Sequence, residues 1–335
     1  MTLTPRERLQ ACLDNDSAFD RSPVALWRHF PVDDQSPETL AAATLDFQRR
    51  YDFDLVKVTP ASSFCLKDWG VEDVWEGHTE GTRRYTKHVI EKPQDWECLP
   101  ALDPLKAPYL SGQLACLRLI RDELGTDVPM IQTIFSPLAQ AKNLASGETL
   151  IVHLRQYPEA VMKGLQTIAA TTRRFVEAAI ETGIDGVFYA VQHAQAGILT
   201  FDEYKTFGLP NDLKTLEPAH SLWCNLLHIH GLNIYFDLIT HSLFPDHPFP
   251  IVNWHDRETY PSLSEAQKRF GGIVCGGVSQ RTIVFGNSSQ VREEAADAIR
   301  QTKGHRFMLG TGCVVPVIAP YGNILAARQS VEMSR

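Results

Sequence analysis

His228 and His230 stand one residue apart at the end of an apolar run, Ser221-Leu222-Trp223-Cys224-Asn225-Leu226-Leu227-His228-Ile229-His230-Gly231. On a strand, residues i and i+2 share one face, so the two imidazoles point the same way and can share one ion. A second apolar run ends at Cys313. A thiolate added to two imidazoles gives the three-ligand set typical of a catalytic zinc with one open position. The plainer alternative is a pair of polar strand-end residues satisfied by ordinary hydrogen bonds.

These residues can meet only if the fold brings distant strand ends together. Short apolar runs alternate with longer helical patterns, the signature of a parallel α/β architecture. The strand candidates are Pro23–Trp27, Leu55–Thr59, Met130–Phe135, Gly186–Val191, Leu222–His230, Ile251–Trp254, Gly272–Cys275 and Phe307–Gly310. Helical spacing marks Pro37–Tyr51, Gly112–Leu124, Pro158–Thr182, Phe201–Leu213, Asn233–Leu243, Leu263–Phe270, Gln290–Thr302 and Asn323–Glu332. Eight strands with interleaved helices predict a (β/α)₈ TIM barrel. Thr4–Asn15 reads as a short N-terminal helical extension. The alternation of Val71–Ile90, with Gly77 and Gly81 as turn residues, predicts a β-hairpin inserted after the second strand. No Pro, Gly or Ser-rich linker marks a boundary, so residues 1–335 read as one domain.

In such a barrel the reactive groups sit at the C-terminal ends of the strands. That places Arg28 and His29, Gln192 and His193, His228 and His230, Asn253, His255 and Asp256, and Cys313 around one mouth. His255, His193 and His29 are the candidates for moving protons. Arg28 offers a planar donor fork for a carboxylate or phosphate, and Gln192, Asn253 and Asp256 are further candidates for substrate contact. Cys275, at the seventh strand end, is the candidate by topology for a fourth metal ligand.

Composition narrows the class. The 335 residues are 44% apolar, enough for a large core, and carry a formal net charge of −8. That balance argues against a nucleic-acid footprint, which needs clustered Lys and Arg. No run approaches the roughly 18–20 apolar residues of a spanning helix. The first residues lack the apolar core of a signal peptide, so a cytoplasmic protein is expected. The seven cysteines are scattered, with no CxxC pair, and read as free thiols. No Walker A run, GxGxxG before a helix, GxSxG elbow or HExxH occurs.

The C-terminal stretch Leu309-Gly310-Thr311-Gly312-Cys313-Val314-Val315-Pro316, followed by Ala319-Pro320-Tyr321-Gly322-Asn323-Ile324-Leu325-Ala326, resembles the end of the uroporphyrinogen decarboxylase superfamily. His228-Ile229-His230-Gly231 resembles that family's histidine motif after the fifth strand. Thr4-Pro5-Arg6-Glu7-Arg8 and Pro23-Val24 are similar to its opening. The resemblance runs in order along nearly the whole chain and implies a (β/α)₈ barrel, frequently a homodimer.

Two branches share the fold. Classical members decarboxylate uroporphyrinogen without metal, using an arginine-rich motif after the first strand, an Asp at the second strand end, a Tyr after the third and a late His. Here those places read Trp27-Arg28-His29-Phe30-Pro31, Val56-Lys57-Val58-Thr59-Pro60, Phe135-Ser136-Pro137-Leu138 and Gly310-Thr311-Gly312. The other branch comprises zinc-dependent methyltransferases that pass methyl groups between a corrinoid protein and a thiol or other acceptor. It uses His-x-Cys and a distant Cys, which fall on His228, His230 and Cys313, with histidine in place of the first cysteine. That exchange keeps a zinc ligand and lowers the thiolate charge on the metal. The ion becomes a stronger Lewis acid, and the bound thiolate a weaker nucleophile.

The resemblance therefore implies a zinc-dependent methyltransferase with a small-molecule substrate and a corrinoid supplied by a partner protein. The alternative is a metal-free carboxy-lyase acting on a porphyrinogen or smaller carboxylic acid, with Arg28 as anchor and His29 or His255 as proton donor.

Overall fold

The computed structural model describes residues 3–15, 20–243 and 250–332. Seven parallel strands form one sheet in the order β1 (Val56–Val58), β4 (Met130–Phe135), β5 (Gly186–Val191), β6 (Leu226–Ile229), β7 (Ile251–Trp254), β8 (Ile273–Val278) and β9 (Phe307–Thr311). Helices connect the strands, giving the α/β barrel-type architecture expected from the alternation. Between β1 and β4, β2 (Glu72–Val74) and β3 (Arg84–Lys87) pair antiparallel as the predicted inserted hairpin. The leading helix, Pro5–Asp14, carries the predicted start: Thr4 and Glu7 form a reciprocal capping box.

The predicted first strand, Pro23–Trp27, is corrected to a linking segment with one isolated bridge, Val24 to Leu309. Pro23 has no N–H to donate, which limits its ladder. The segment still joins both edges of the sheet. Ala25 N–H donates to Leu309 O at 2.9 Å, Leu309 N–H to Pro23 O at 2.9 Å, and Asp54 N–H to Val24 O at 2.9 Å. Closure thus rests on seven strands and this segment.

The predicted strand Leu222–His230 begins only at Leu226. Asn225 lies just before it and uses its side chain as a bracket. Its Oδ1 accepts from Val187 N–H at 3.0 Å and its Nδ2 donates to Ala219 O at 2.8 Å. The predicted helix Phe201–Leu213 is broken by a π-helical turn at Tyr204–Gly208 and resumes over Leu209–Leu216.

Two helices, Pro137–Ala145 and Gly147–Gln156, fill a stretch with no sequence-predicted element. The first buries Pro137, Leu138, Ala139, Gln140, Ala141, Leu144 and Ala145, so it lacks the one-sided apolar stripe that reveals a helix. Among the described residues, no helix is long and apolar enough to cross a membrane.

Candidate metal centre

Three strand ends meet at one point of the barrel mouth. β6 carries His228, and His230 extends its ladder by donating its N–H to Val191 O at 2.8 Å, which keeps both imidazoles on one side. Just beyond β7, the chain turns at His255. Beyond β9 it runs through Gly312 to Cys313. A Cβ on Gly312 would stand 2.8 Å from His255 Cα and 3.0 Å from Trp254 O, so only glycine lets the two loops approach this closely.

His228, His230, His255 and Cys313 each offer one ligand atom, and all four atoms lie within 4.8 Å of one another. Cys313 Sγ is 3.7 Å from His228 Nε2 and 3.8 Å from His230 Nδ1. His255 Nε2 is 3.2 Å from His230 Nδ1. Ligands about 2.0–2.3 Å from one tetrahedral ion stand roughly 3.3–3.6 Å apart. The three separations bracket that range, so the residues fit a zinc-sized ion. The fourth potential donor in this group is His255. Cys275 is fully buried beside Gly310 and lies outside this group.

Asn253 sets the tautomer of His228. In the parallel register His228 faces Asn253, and Asn253 faces Cys275. Asn253 Nδ2 donates to Cys275 O at 2.9 Å and Thr311 O at 3.0 Å, which leaves Oδ1 as the acceptor. His228 Nδ1 lies 2.7 Å from that oxygen and must carry the proton. The lone pair is then on Nε2, facing Cys313, as a metal ligand requires. On the other side, His255 Nδ1 stands 3.6 Å from Glu258 Oε2, turning Nε2 toward the cluster.

Burial keeps all three imidazoles neutral. It holds His228 well below the ordinary histidine range, lowers His255, and brings His230 down to about 4, with the neighbouring His255 adding to the effect on His230. Burial also pushes the Cys313 thiol up to about 12. The imidazole lone pairs are free at neutral pH, whereas the thiol ionises only if a cation offsets its desolvation.

The cluster opens onto a cleft of about 1070 Å³ lined by His228, His230 and Cys313. His29, Gln192 and His193 line the same cleft. His29 and His193 are buried, and burial lowers each to about 3. The remaining sequence candidates stand elsewhere. Arg28 lines a separate depression with Phe30, Asp33 and Tyr51, its Nε donating to His29 O. Asn253 is fully buried against His228. Asp256 is turned toward the backbone of Gly277, whose N–H it accepts at 3.2 Å. His255 belongs to a second cleft of about 470 Å³ that shares His230 and includes Glu80 and Glu258.

Several lining residues had no place in the sequence reading. Lys142 and Arg155 come from the two unpredicted helices, and Glu80 from the hairpin. Lys57 lies at the centre of β1, buried within the barrel. A lysine between two valines was the one available signal, because a lysine inside a barrel requires a reason.

The model of the uroporphyrinogen decarboxylase (URO-D) family matches residues 24–333. A uroporphyrinogen decarboxylase from Nocardioides sp. is 26% identical over 296 residues, covering 85% of this chain and 80% of its own length. Among solved structures, a methyltransferase from Methanosarcina mazei superposes with a TM-score of 0.84 at 19% identity, covering 98% of each chain. A B12-independent methionine synthase from Shewanella sp. W3-18-1 gives a TM-score of 0.60 at 13% identity, covering 93% of each. These two likenesses concern the fold. With the family model spanning almost the whole sequence, this chain belongs to the uroporphyrinogen decarboxylase family.

Proposed function

We propose that this chain is a zinc-dependent methyltransferase that moves a methyl group from a methylated corrinoid, or a similar donor on a partner protein, to a thiol or related acceptor. The observation that carries the reading is the four-donor cluster, with His228 Nε2 turned inward by Asn253 and Cys313 Sγ at 3.7 Å. The fold shared with a methyltransferase from Methanosarcina mazei is consistent with it. His228, His230 and Cys313 would hold the ion. When bound, zinc supplies a Lewis acid that lowers the pKa of an acceptor thiol at neutral pH.

The protein's own groups do the rest. Asn253 holds the His228 ring at its Nδ1 proton. His255, kept neutral by burial, would be the base that takes the acceptor's proton at Nε2. Glu258 beside Nδ1 stabilises the imidazolium that results. Phe188 and Val314 supply an apolar part of the cleft wall beside the acceptor's place.

The test is transfer from methylcobalamin to a simple thiol by the zinc-loaded protein. Activity should vanish on chelation and return with zinc. Activity that survives chelation contradicts the reading.

A metal-free carboxy-lyase is the second reading, supported by the uroporphyrinogen decarboxylase relative. Its anchor, Arg28, faces a separate depression rather than the main cleft. Turnover of uroporphyrinogen by metal-free protein would establish it.

A further inference from the structure

Asp212 is a buried carboxyl that the fold does not neutralise. The residue is 1% exposed, and among the described residues no cation stands in ion-pair range of it. Two phenols from different elements close on it instead. Tyr189 Oη, from β5, lies 2.6 Å from Oδ1, and Tyr204 Oη, from the π-helical turn, bonds Oδ2. Burial keeps both phenols protonated.

A neutral carboxyl completes this set. Tyr204 donates to Oδ2, the acid O–H at Oδ1 donates to Tyr189 Oη, and Tyr189 donates to Thr215 Oγ1. Thr215 Oγ1 in turn donates to Asn211 O at 2.8 Å, so every donor in the chain has an acceptor. An ionised Asp212 would be an unpaired anion among buried side chains, and burial accordingly brings the group up to about 7. The buried faces of the helices packed on it, Pro158–Ile180 and Pro137–Ala145, carry no titratable side chain. Lys205, Lys214, Glu217 and His220, from the turn, its own helix and the segment that follows, are exposed.

The cluster stands behind the wall of the large cleft. On β5, Phe188 and Ala190 line the cleft, and Tyr189 between them points to the opposite face. Leu199 and Thr200 line it too, and Tyr204 N–H donates to Thr200 O at 3.0 Å. Between Tyr204 and Asp212 the backbone makes its π turn, in which a Cβ on Gly208 would stand 2.7 Å from the Tyr204 ring. We propose that Asp212 is a proton-controlled latch on the cleft wall: its neutral carboxyl ties the π turn to β5, and its ionisation loosens the turn together with Leu199 and Thr200.

The direction follows from linkage. The buried form holds its proton up to about pH 7, whereas an opened turn hydrates the carboxyl and returns it to its ordinary 3.8. Between those values opening releases a proton to water, so it becomes about tenfold easier per pH unit and levels off above pH 7. Buried His29 and His193 act on global unfolding with the opposite sign, adding stability as pH rises.

The test is hydrogen exchange of the peptide spanning 199–208 in the full-length protein, read as protection factors from pH 5.5 to 8.5. Wild-type protection should fall about tenfold per unit up to pH 7 and then level off. Asp212→Asn, isosteric with the neutral acid, should hold the acid-side protection across the whole range. Tyr204→Phe removes a donor that favours the anion, so the levelling should move to higher pH. Wild-type protection that is flat, or that rises across the window, overturns the proposal without needing a variant. So does an Asp212→Asn protein that keeps the wild-type slope, or a Tyr204→Phe protein whose levelling stays at pH 7. Each outcome reads the same whether or not the protein takes up zinc.

Discussion

His228 Nδ1 lies 2.7 Å from Asn253 Oδ1, and Asn253 has no freedom to turn its amide because both Nδ2 protons are engaged by Cys275 O and Thr311 O. One buried amide therefore links β6, β7, β8 and the end of β9 and decides which nitrogen of His228 faces the cluster. A metal ligand at His228 would thus be oriented before any ion arrived.

Asn253→Leu should keep the volume and remove the acceptor. His228 is then free to place its proton on Nε2, and metal affinity should fall about 10–100-fold. The stranded carbonyls and imidazole should also cost about 1–3 kcal/mol of stability. Chelator competition and urea unfolding measure the two effects. An unchanged zinc affinity would remove Asn253 from the account.

Gly312→Ala should push apart the loops that carry Cys313 and His255, because the added methyl would meet His255 Cα at 2.8 Å. Weaker zinc retention and a lowered Tm are expected. Gly197→Ala is the control, since a Cβ there meets nothing within 4 Å although the residue lines the same cleft. Equal behaviour of the two variants would contradict the close-packing argument.

The zinc-free protein should lose stability in acid. Burial lowers His29 and His193 from 6.5 to about 3, so the unfolded chain binds protons that the folded chain refuses. Stability is fully present above pH 6.5 and is lost progressively as pH falls toward 3. Between pH 6.5 and 5 each buried histidine should cost about 2 kcal/mol. Thermal unfolding across that window should steepen accordingly, and His193→Gln should flatten it. A Tm that is level from pH 6.5 to 5 would be the contrary result.

Much of the frame was legible because its signals are local. The spans Met130–Phe135, Gly186–Val191 and Ile251–Trp254 agree with the sequence prediction residue for residue, each being a short apolar run between turn residues. The helix Pro37–Tyr51 was equally plain, with Pro37 in its first turn and Ser36 as its cap. His228 and His230 were legible as a pair through the two-residue period of strands.

The fourth member of the cluster, His255, was not. His255 lies beyond β7 in a loop, where no periodicity aims a side chain, and its approach depends on the missing Cβ at Gly312. The topological choice, Cys275, failed because its strand continues to Val278 and leaves the thiol three residues short of the end, buried in the barrel. The cleft wall was hidden for another reason. Lys142 and Arg155 ride on two helices, the first with a Ser136-Pro137 start but no one-sided apolar stripe, the second starting at Ser146, which also ends the first.

The central claim is that His228, His230 and Cys313 hold a metal ion, and metal analysis of protein purified without chelator tests it most directly. Wild type should carry about one zinc per chain, and His228→Ala combined with Cys313→Ala should lose at least about tenfold in affinity. Wild-type protein that takes up no zinc, or a double variant that keeps its full complement, would contradict it.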